Sequence, residues 1–262
     1  MRFIDQLERS VQLKKTPDRI ISLVPSQTEL LVDLGLEHSI VGVTKFCIHP
    51  NHLRKSKTIV GGTKQINIEK IRALSPDIIL CNKEENSKEI IELLEDIAPI
   101  HISDIYNLKD CLELIKMYGS LFQVEDKALE IVSSIQNERN RFRTRLSVLK
   151  NIKIAYFIWR NPWMVSASDT FINHMINEAG FQNVYEDERR YPEIDLENSK
   201  IKVADIIFLS SEPYPFKNKH IKELELHFPQ KRIKIIDGEM FSWYGSRLQK
   251  SYKYFESLHD FA

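Results

Sequence analysis

All three tryptophans of the chain, Trp159, Trp163 and Trp243, fall in loops that follow predicted β-strands. In parallel α/β sheets, ligands bind beyond the carboxyl ends of the strands, so these loops are where chemistry would sit. Broad aromatic walls suit a large, flat, partly apolar ligand. The alternative reading is that the three rings plug an interface with no ligand present. The other strand-end loops add Pro25 and Ser26 after Val24, Phe46 and His49 after Val43, and Asn82, Glu84 and Glu85 after Cys81. Met164 follows Trp163, Glu239 and Tyr244 flank Trp243, and Tyr191 before Pro192 is one more candidate wall.

Other kinds of chemistry find little support. His49 and His52 straddle Pro50, while His101, His174, His220 and His227 are scattered, which is no zinc spacing. No GxSxG elbow, HExxH pair or Walker loop occurs. Gly61-Gly62 lacks a GxGxxG continuation and reads as a turn. Glu84-Glu85 reads either as a solvated charged pair or as a functional one. Neither a catalytic residue nor a bound cofactor is expected.

The elements that must position these loops come in two similar sets. Asn67-Ile68-Glu69 leads into Asp77-Ile78-Ile79-Leu80, and Asp195-Leu196-Glu197 leads into Asp205-Ile206-Ile207-Phe208. Upstream of each copy lie a strand, a polar loop and a helix, ending at Gly35 in one and at Gly180 in the other. Predicted strands are Arg19–Val24, Ser39–Val43, Asp77–Cys81, Ile100–Ile102, Lys153–Ile158, Asp205–Leu209 and Ile233–Ile236. Predicted helices are Thr28–Leu34, Ile68–Leu74, Ser87–Asp96, Leu108–Gly119, Thr170–Ala179, Lys217–His227 and Gly245–Leu258, with Thr28 and Thr170 as N-caps. Val124–Leu149 contains neither Gly nor Pro and reads as one helix of about 39 Å. These elements predict an α/β fold: two similar Rossmann-like lobes with mainly parallel sheets, joined by one long α-helix, with a ligand cleft between the lobes. The expected boundaries are residues 1–123, 124–149 and 150–262. The alternative for the long segment is a packing helix inside a single domain.

Bulk composition excludes several classes. The 262 residues are 42% hydrophobic and 28% charged, ordinary for a globular chain. Basic and acidic residues number 37 each and no long basic block stands out, so nucleic acid is not expected, and no apolar run approaches the roughly 20 residues of a membrane span, so neither is membrane insertion. The charged stretch from Met1 to Ser10 has no apolar signal region, which reads as a chain that is not exported or as a trimmed one. Three cysteines without a CxxC pair argue against a disulfide framework.

Taken in order, these segments resemble a known family, the substrate-binding proteins of ABC importers for vitamin B12, ferric siderophores and haem. The resemblance rests on Arg19–Leu31, Val41–Thr44, His49-Pro50, Val60-Gly61-Gly62, Asn67–Ile71 and Pro76–Leu80. In the second half it rests on Trp159–Trp163, Asp169–Phe171, Ala179-Gly180, Asp237–Glu239 and Trp243–Leu248. The cobalamin-binding branch is the nearest in kind. The resemblance implies a non-enzymatic, monomeric protein that captures a corrinoid or a ferric chelate for an ABC-transporter permease dimer. It implies ligand contacts at Pro25, Ser26, His49, Asn82, Met164, Tyr191 and the Glu239–Trp243 loop. Asn82 stands where a tryptophan would be expected. The resemblance also implies permease-facing glutamates, Glu197 in the second lobe and Glu84 or Glu85 in the first, and an export route outside the cytoplasm. The competing reading is a cytoplasmic enzyme or ligand sensor on the same fold, acting on a corrinoid or tetrapyrrole.

Overall fold

Short β-branched runs bounded by turns form the strands of two separate five-stranded sheets, and the computed structural model describes residues 1–146, 152–197 and 199–261. In the N-terminal half, a hairpin of β1 (Arg2–Ile4) and β2 (Ser10–Gln12) precedes β3 (Ile20–Ser22), β4 (Ile40–Val43), β5 (Thr58–Ile59), β6 (Ile78–Asn82) and β7 (Ile100–Ser103). The last five pair in parallel in the order β5-β4-β3-β6-β7. In the C-terminal half, β8 (Ile152–Trp159), β9 (Met164–Val165), β10 (Phe181–Asn183), β11 (Ile206–Ser210) and β12 (Arg232–Ile236) follow. Their parallel path is β10-β8-β11-β12, with β9 antiparallel on β8. The fold is therefore mixed α/β with parallel sheets in two lobes, as expected.

The repeated phrase turns out to be a register clamp. Asp77 Oδ2 accepts the backbone N–H groups of Asp18 and Arg19 at 3.0 and 3.1 Å, and the Asp77 N–H donates to Arg19 O at 2.8 Å. Asp205 repeats this with Lys153, accepting its N–H at 2.8 Å and donating to its carbonyl at 2.7 Å. Each aspartate thus ties the amino end of its own strand to that of the neighbouring central strand. Each half has its own core. One centres on Ile21, Leu23, Ile79, Cys81 and Leu94, the other on Phe157, Val165, Ile207, Leu209 and Phe216.

By internal packing the chain divides into two compact units. One comprises Met1–Ile105, Lys109–Ile135 and Tyr244–Arg247; the other comprises Tyr106–Leu108, Gln136–Trp243 and Leu248–Ala262. The long helix runs Glu125–Leu146, and residues 147–149 of its expected span lie outside the described residues. Its membership changes between Ile135 and Gln136. In the N-terminal unit it packs closely, since a Cβ on Gly119 would come 2.6 Å from that of Ala128. In the C-terminal unit Arg139 grips the buried Glu178 with two hydrogen bonds of 2.6 and 2.7 Å.

Helix boundaries depart from expectation at two places that matter for the loops. The first helix begins at Pro25, with Pro at its first position, where the missing N–H is harmless. Thr28 is consequently no cap. It is buried one turn in, and its hydroxyl bonds back to Val24 O at 3.0 Å. Thr170 does cap its helix, accepting the Asn173 N–H at 3.0 Å. The last helix starts at Leu248 rather than Gly245, because Gly245 sits at φ 94°, outside the helical region. A short separate turn, Glu239–Ser242, precedes it.

Candidate ligand-binding site

In the C-terminal unit, one loop holds all three tryptophans. After β11 the chain runs Ser211-Glu212-Pro213-Tyr214-Pro215-Phe216, and alternate residues each meet one ring. Glu212 Oε1 accepts the Trp243 indole N–H at 2.9 Å. Tyr214 lies edge-on to Trp159 at 5.5 Å between centroids. Phe216 stacks on Trp163 at 6.1 Å and 8°. The two prolines remove backbone donors, and the Phe216 N–H donates to Tyr214 O at 2.9 Å, closing a tight turn within the loop.

The three tryptophans do not share one environment. Trp159, at the end of β8, is 39% exposed and is the outward ring of the set. Trp163 is half-buried against the unit's core, with Phe157 edge-on at 5.5 Å and the Arg160 guanidinium 5.2 Å above it. Arg160 is fixed by a bidentate pair with Glu223, and that bond holds the Glu223 carboxyl below its usual range. Trp243 is only 7% exposed. Met164 on β9 pairs with Trp159 and is half-buried. Tyr191 is half-buried beside it, with the Arg190 guanidinium 5.7 Å from its ring, and the next residue accepts the Val165 N–H.

Trp243 belongs to a carboxylate-rich set at the ends of β11 and β12. Glu212 also accepts the Ser242 hydroxyl. Asp237 Oδ1 accepts the Glu239 N–H at 3.1 Å, and Ser211 Oγ accepts the Gly238 N–H at 3.0 Å. Gly238 admits no side chain, since a Cβ would fall 2.1 Å from Ser210 Oγ. Burial pushes the Glu212 carboxyl above its usual range, and the nearby Glu239 and Asp237 charges push the same way. The hydrogen bonds from Ser242 and Trp243 oppose that shift.

The N-terminal unit places its candidates in a buried network and an exposed loop. Gln27 Nε2 donates to Ser103 Oγ at 2.6 Å and to the Tyr244 hydroxyl at 2.9 Å, while Tyr118 donates to Gln27 Oε1 at 2.7 Å. Tyr244 is 5% exposed and is thus an interior group of this unit. Burial raises its phenol well above the ordinary value. Asn82 is buried too. Its Nδ2 donates to Ser103 Oγ at 3.0 Å, and its Oδ1 accepts the N–H groups of Glu84 and Glu85 at 2.9 and 3.1 Å. Asn82 therefore shapes the turn that carries the two half-buried glutamates. Pro25 and Ser26 are buried at the start of the first helix. Phe46 stands 48% exposed above Gly62, with the Lys45 ammonium 5.0 Å from its ring, and His49 is half-buried in the same loop.

Glu197 is exposed on a turn closed by its own N–H donating to Asp195 Oδ1 at 3.0 Å. Among the described residues, no group of three His, Cys, Asp or Glu could hold a metal ion, and no helix is long and apolar enough to cross a membrane. The cysteines Cys47, Cys81 and Cys111 are free thiols, all buried. Tyr214, Phe216 and Glu212 escaped the sequence reading. Their signal is the alternation of Pro with large side chains directly after a strand.

Comparison with known proteins places this geometry. The periplasmic binding protein family matches residues 20–228. An uncharacterized ABC transporter substrate-binding lipoprotein of Bacillus subtilis is 29% identical over 192 residues, 70% of this chain; the match spans 60% of the lipoprotein's length. A vitamin B12-binding protein of Vibrio vulnificus is 26% identical over 212 residues, covering 80% of this chain and 77% of that one. A crystal structure of a periplasmic heme binding protein from Pseudomonas aeruginosa superposes with a TM-score of 0.83 at 19% identity, over 94% of each chain. Proteins of this family are non-enzymatic transport components, and nothing here supports the enzyme reading. With the match covering most of both parallel sheets and the loops that follow them, the chain belongs to the periplasmic binding protein family.

Proposed function

We propose that the protein captures a corrinoid or a ferric chelate and delivers it to the permease dimer of an ABC importer. The observation that carries this reading is the loop of Glu212, Tyr214 and Phe216, which organises three tryptophans at strand carboxyl ends. A rigid aromatic platform suits a flat macrocycle or chelate. The names of relatives that bind vitamin B12 and heme favour the same ligand class. Trp159 is the ring that meets the ligand, with Tyr214 behind it, while Trp243 and Tyr244 act from the interior. Phe46 and His49 are the ligand-contact candidates of the N-terminal unit. Glu197 and the Glu84–Glu85 turn dock the permease, giving register through charge-assisted pairs to arginine.

Titration with cyanocobalamin, haemin and a ferric siderophore, followed by tryptophan fluorescence and ligand absorbance, tests the capture step. Saturable quenching by one of them is expected. Trp159→Ala should weaken that binding by about 2 kcal/mol, roughly thirtyfold, with little change in melting temperature. No saturable binding of any of the three would overturn the reading. Charge reversal at Glu197 together with Glu84 and Glu85 should abolish transport and leave ligand affinity unchanged; a fall in affinity would remove these residues from docking.

A further inference from the structure

Among the described residues the N-terminal sheet ends in β7, which pairs with β6 and with no further strand. Residues 100, 102 and 104 turn their backbone groups away from β6, because Pro99 and Ser103 are the residues whose carbonyls bond to the β6 side. An open edge of this kind is a template for pairing with another chain. Here each of the three residues is met by a side chain. Arg9 Nη2 donates to Ile100 O at 2.9 Å, the Ile102 N–H donates to Asp5 Oδ2 at 3.2 Å, and the Asp104 N–H donates to Gln6 Oε1 at 3.2 Å.

The three side chains come from one turn, Asp5–Arg9, between β1 and β2. The turn is itself preorganised. Asp5 is buried, its Oδ1 accepts the N–H groups of Leu7 and Arg9 at 3.0 and 2.9 Å, and its Oδ2 accepts Arg9 Nε at 3.1 Å. Arg9 also reaches Glu95 at 3.6 Å, and Gln6 Nε2 donates to Asp110 O at 3.0 Å. Arg9, Asp5 and Gln6 thus meet one outward backbone group on each of the three residues, the carbonyl of Ile100 and the N–H groups of Ile102 and Asp104.

We propose that the Asp5–Arg9 turn masks a strand-pairing surface on β7, and that the partner it excludes is the β7 edge of a second copy of this chain. A second copy fits because an edge can pair antiparallel with itself, satisfying the same Ile100, Ile102 and Asp104 groups on both sides. The turn opposes such self-pairing by occupying those groups with side chains that cannot propagate a sheet.

Full-length variants test this. In Gln6→Ala, exchange of the Asp104 amide should quicken by about tenfold, the scale of one lost hydrogen bond. Amides of β3 should stay unchanged. In the double variant Gln6→Ala/Arg9→Ala, light scattering should show a concentration-dependent rise from monomer to dimer mass. The dimer should protect the Ile102 and Asp104 amides again. A folded double variant that stays monomeric at every concentration would overturn the proposal, and so would dimers in which these amides remain fast. Should the double variant fail to fold, an unchanged Asp104 exchange rate in Gln6→Ala refutes the mask by itself, and a selective tenfold rise sustains it.

Discussion

Arg247→Met should be among the most damaging single changes in this chain. Arg247 grips Glu29 on the first helix through two hydrogen bonds, Nε to Oε2 at 2.8 Å and Nη2 to Oε1 at 3.0 Å. The two side chains are only 5% and 7% exposed. Removing the guanidinium deprives a buried carboxylate of its bidentate partner, which costs about 3–5 kcal/mol. That is a large part of a typical total stability of roughly 5–15 kcal/mol. The pair is also an anchor, since it joins residues 218 apart in sequence. It works beside Gly245, whose N–H donates to Cys111 Sγ at 3.0 Å, and Tyr244 in the Gln27 network. The double variant Glu29→Met/Arg247→Met removes both charges and should recover much of the loss, because apolar replacement of a buried pair is often neutral. Urea unfolding followed by circular dichroism measures all four corners of the cycle. A loss under about 1 kcal/mol for Arg247→Met would refute the reasoning, and so would a double variant as unstable as the worse single one.

Trp243→Ala should lower stability by about 3–5 kcal/mol, as expected for a buried ring, and thermal melting checks it. Trp243→Phe should lose less than Trp243→Ala but at least about 1 kcal/mol, because the indole bond to Glu212 goes together with part of a buried ring. Glu212 has a carboxyl raised by burial, so the folded state holds its proton more tightly than the unfolded chain. Its contribution is fully present below the ordinary carboxylate value and is lost as pH rises through the folded value. Glu212→Gln should therefore gain on the wild type between acid and neutral pH, measured as the difference in melting temperature across that range. His101 runs the other way: burial lowers it from 6.5 to about 4, against the attraction of Asp5. The stability it supports is complete above pH 6.5 and falls as pH drops toward about 4, so His101→Phe should flatten the acid arm of the melting curve.

The parallel strands and most helices were legible because their signals are local. Runs such as Ile78-Ile79-Leu80 and Ile206-Ile207-Phe208 are bounded by turn residues, and both are central strands. The β1–β2 hairpin was not legible, since Asp5, Gln6 and Arg9 look like a solvated charged stretch until β7 is placed beside them. Tyr244 looked like a loop aromatic for the same reason. Nothing local shows that it reaches Gln27, a partner 217 residues away. Trp243 was expected at a ligand wall, yet its burial depends on Glu212, in a different loop. Position after a strand located these segments in the fold, at or just beyond the carboxyl ends of the strands. The depth of each side chain depended on contacts that no spacing rule encodes.

The clamps at Asp77 and Asp205 have a consequence for how such a protein can change. Both act at the amino ends of the strands, while the candidate ligand loops leave from the carboxyl ends. Register is thus settled at one end of each sheet before the chain reaches the other. Sequence at the loop end is free to drift in length and character without disturbing the pairing beneath it. Grafting the 211–217 loop of a relative with a different cargo should therefore retune what is captured while the sheet stays intact. The same experiment at the aspartate end would cost the fold.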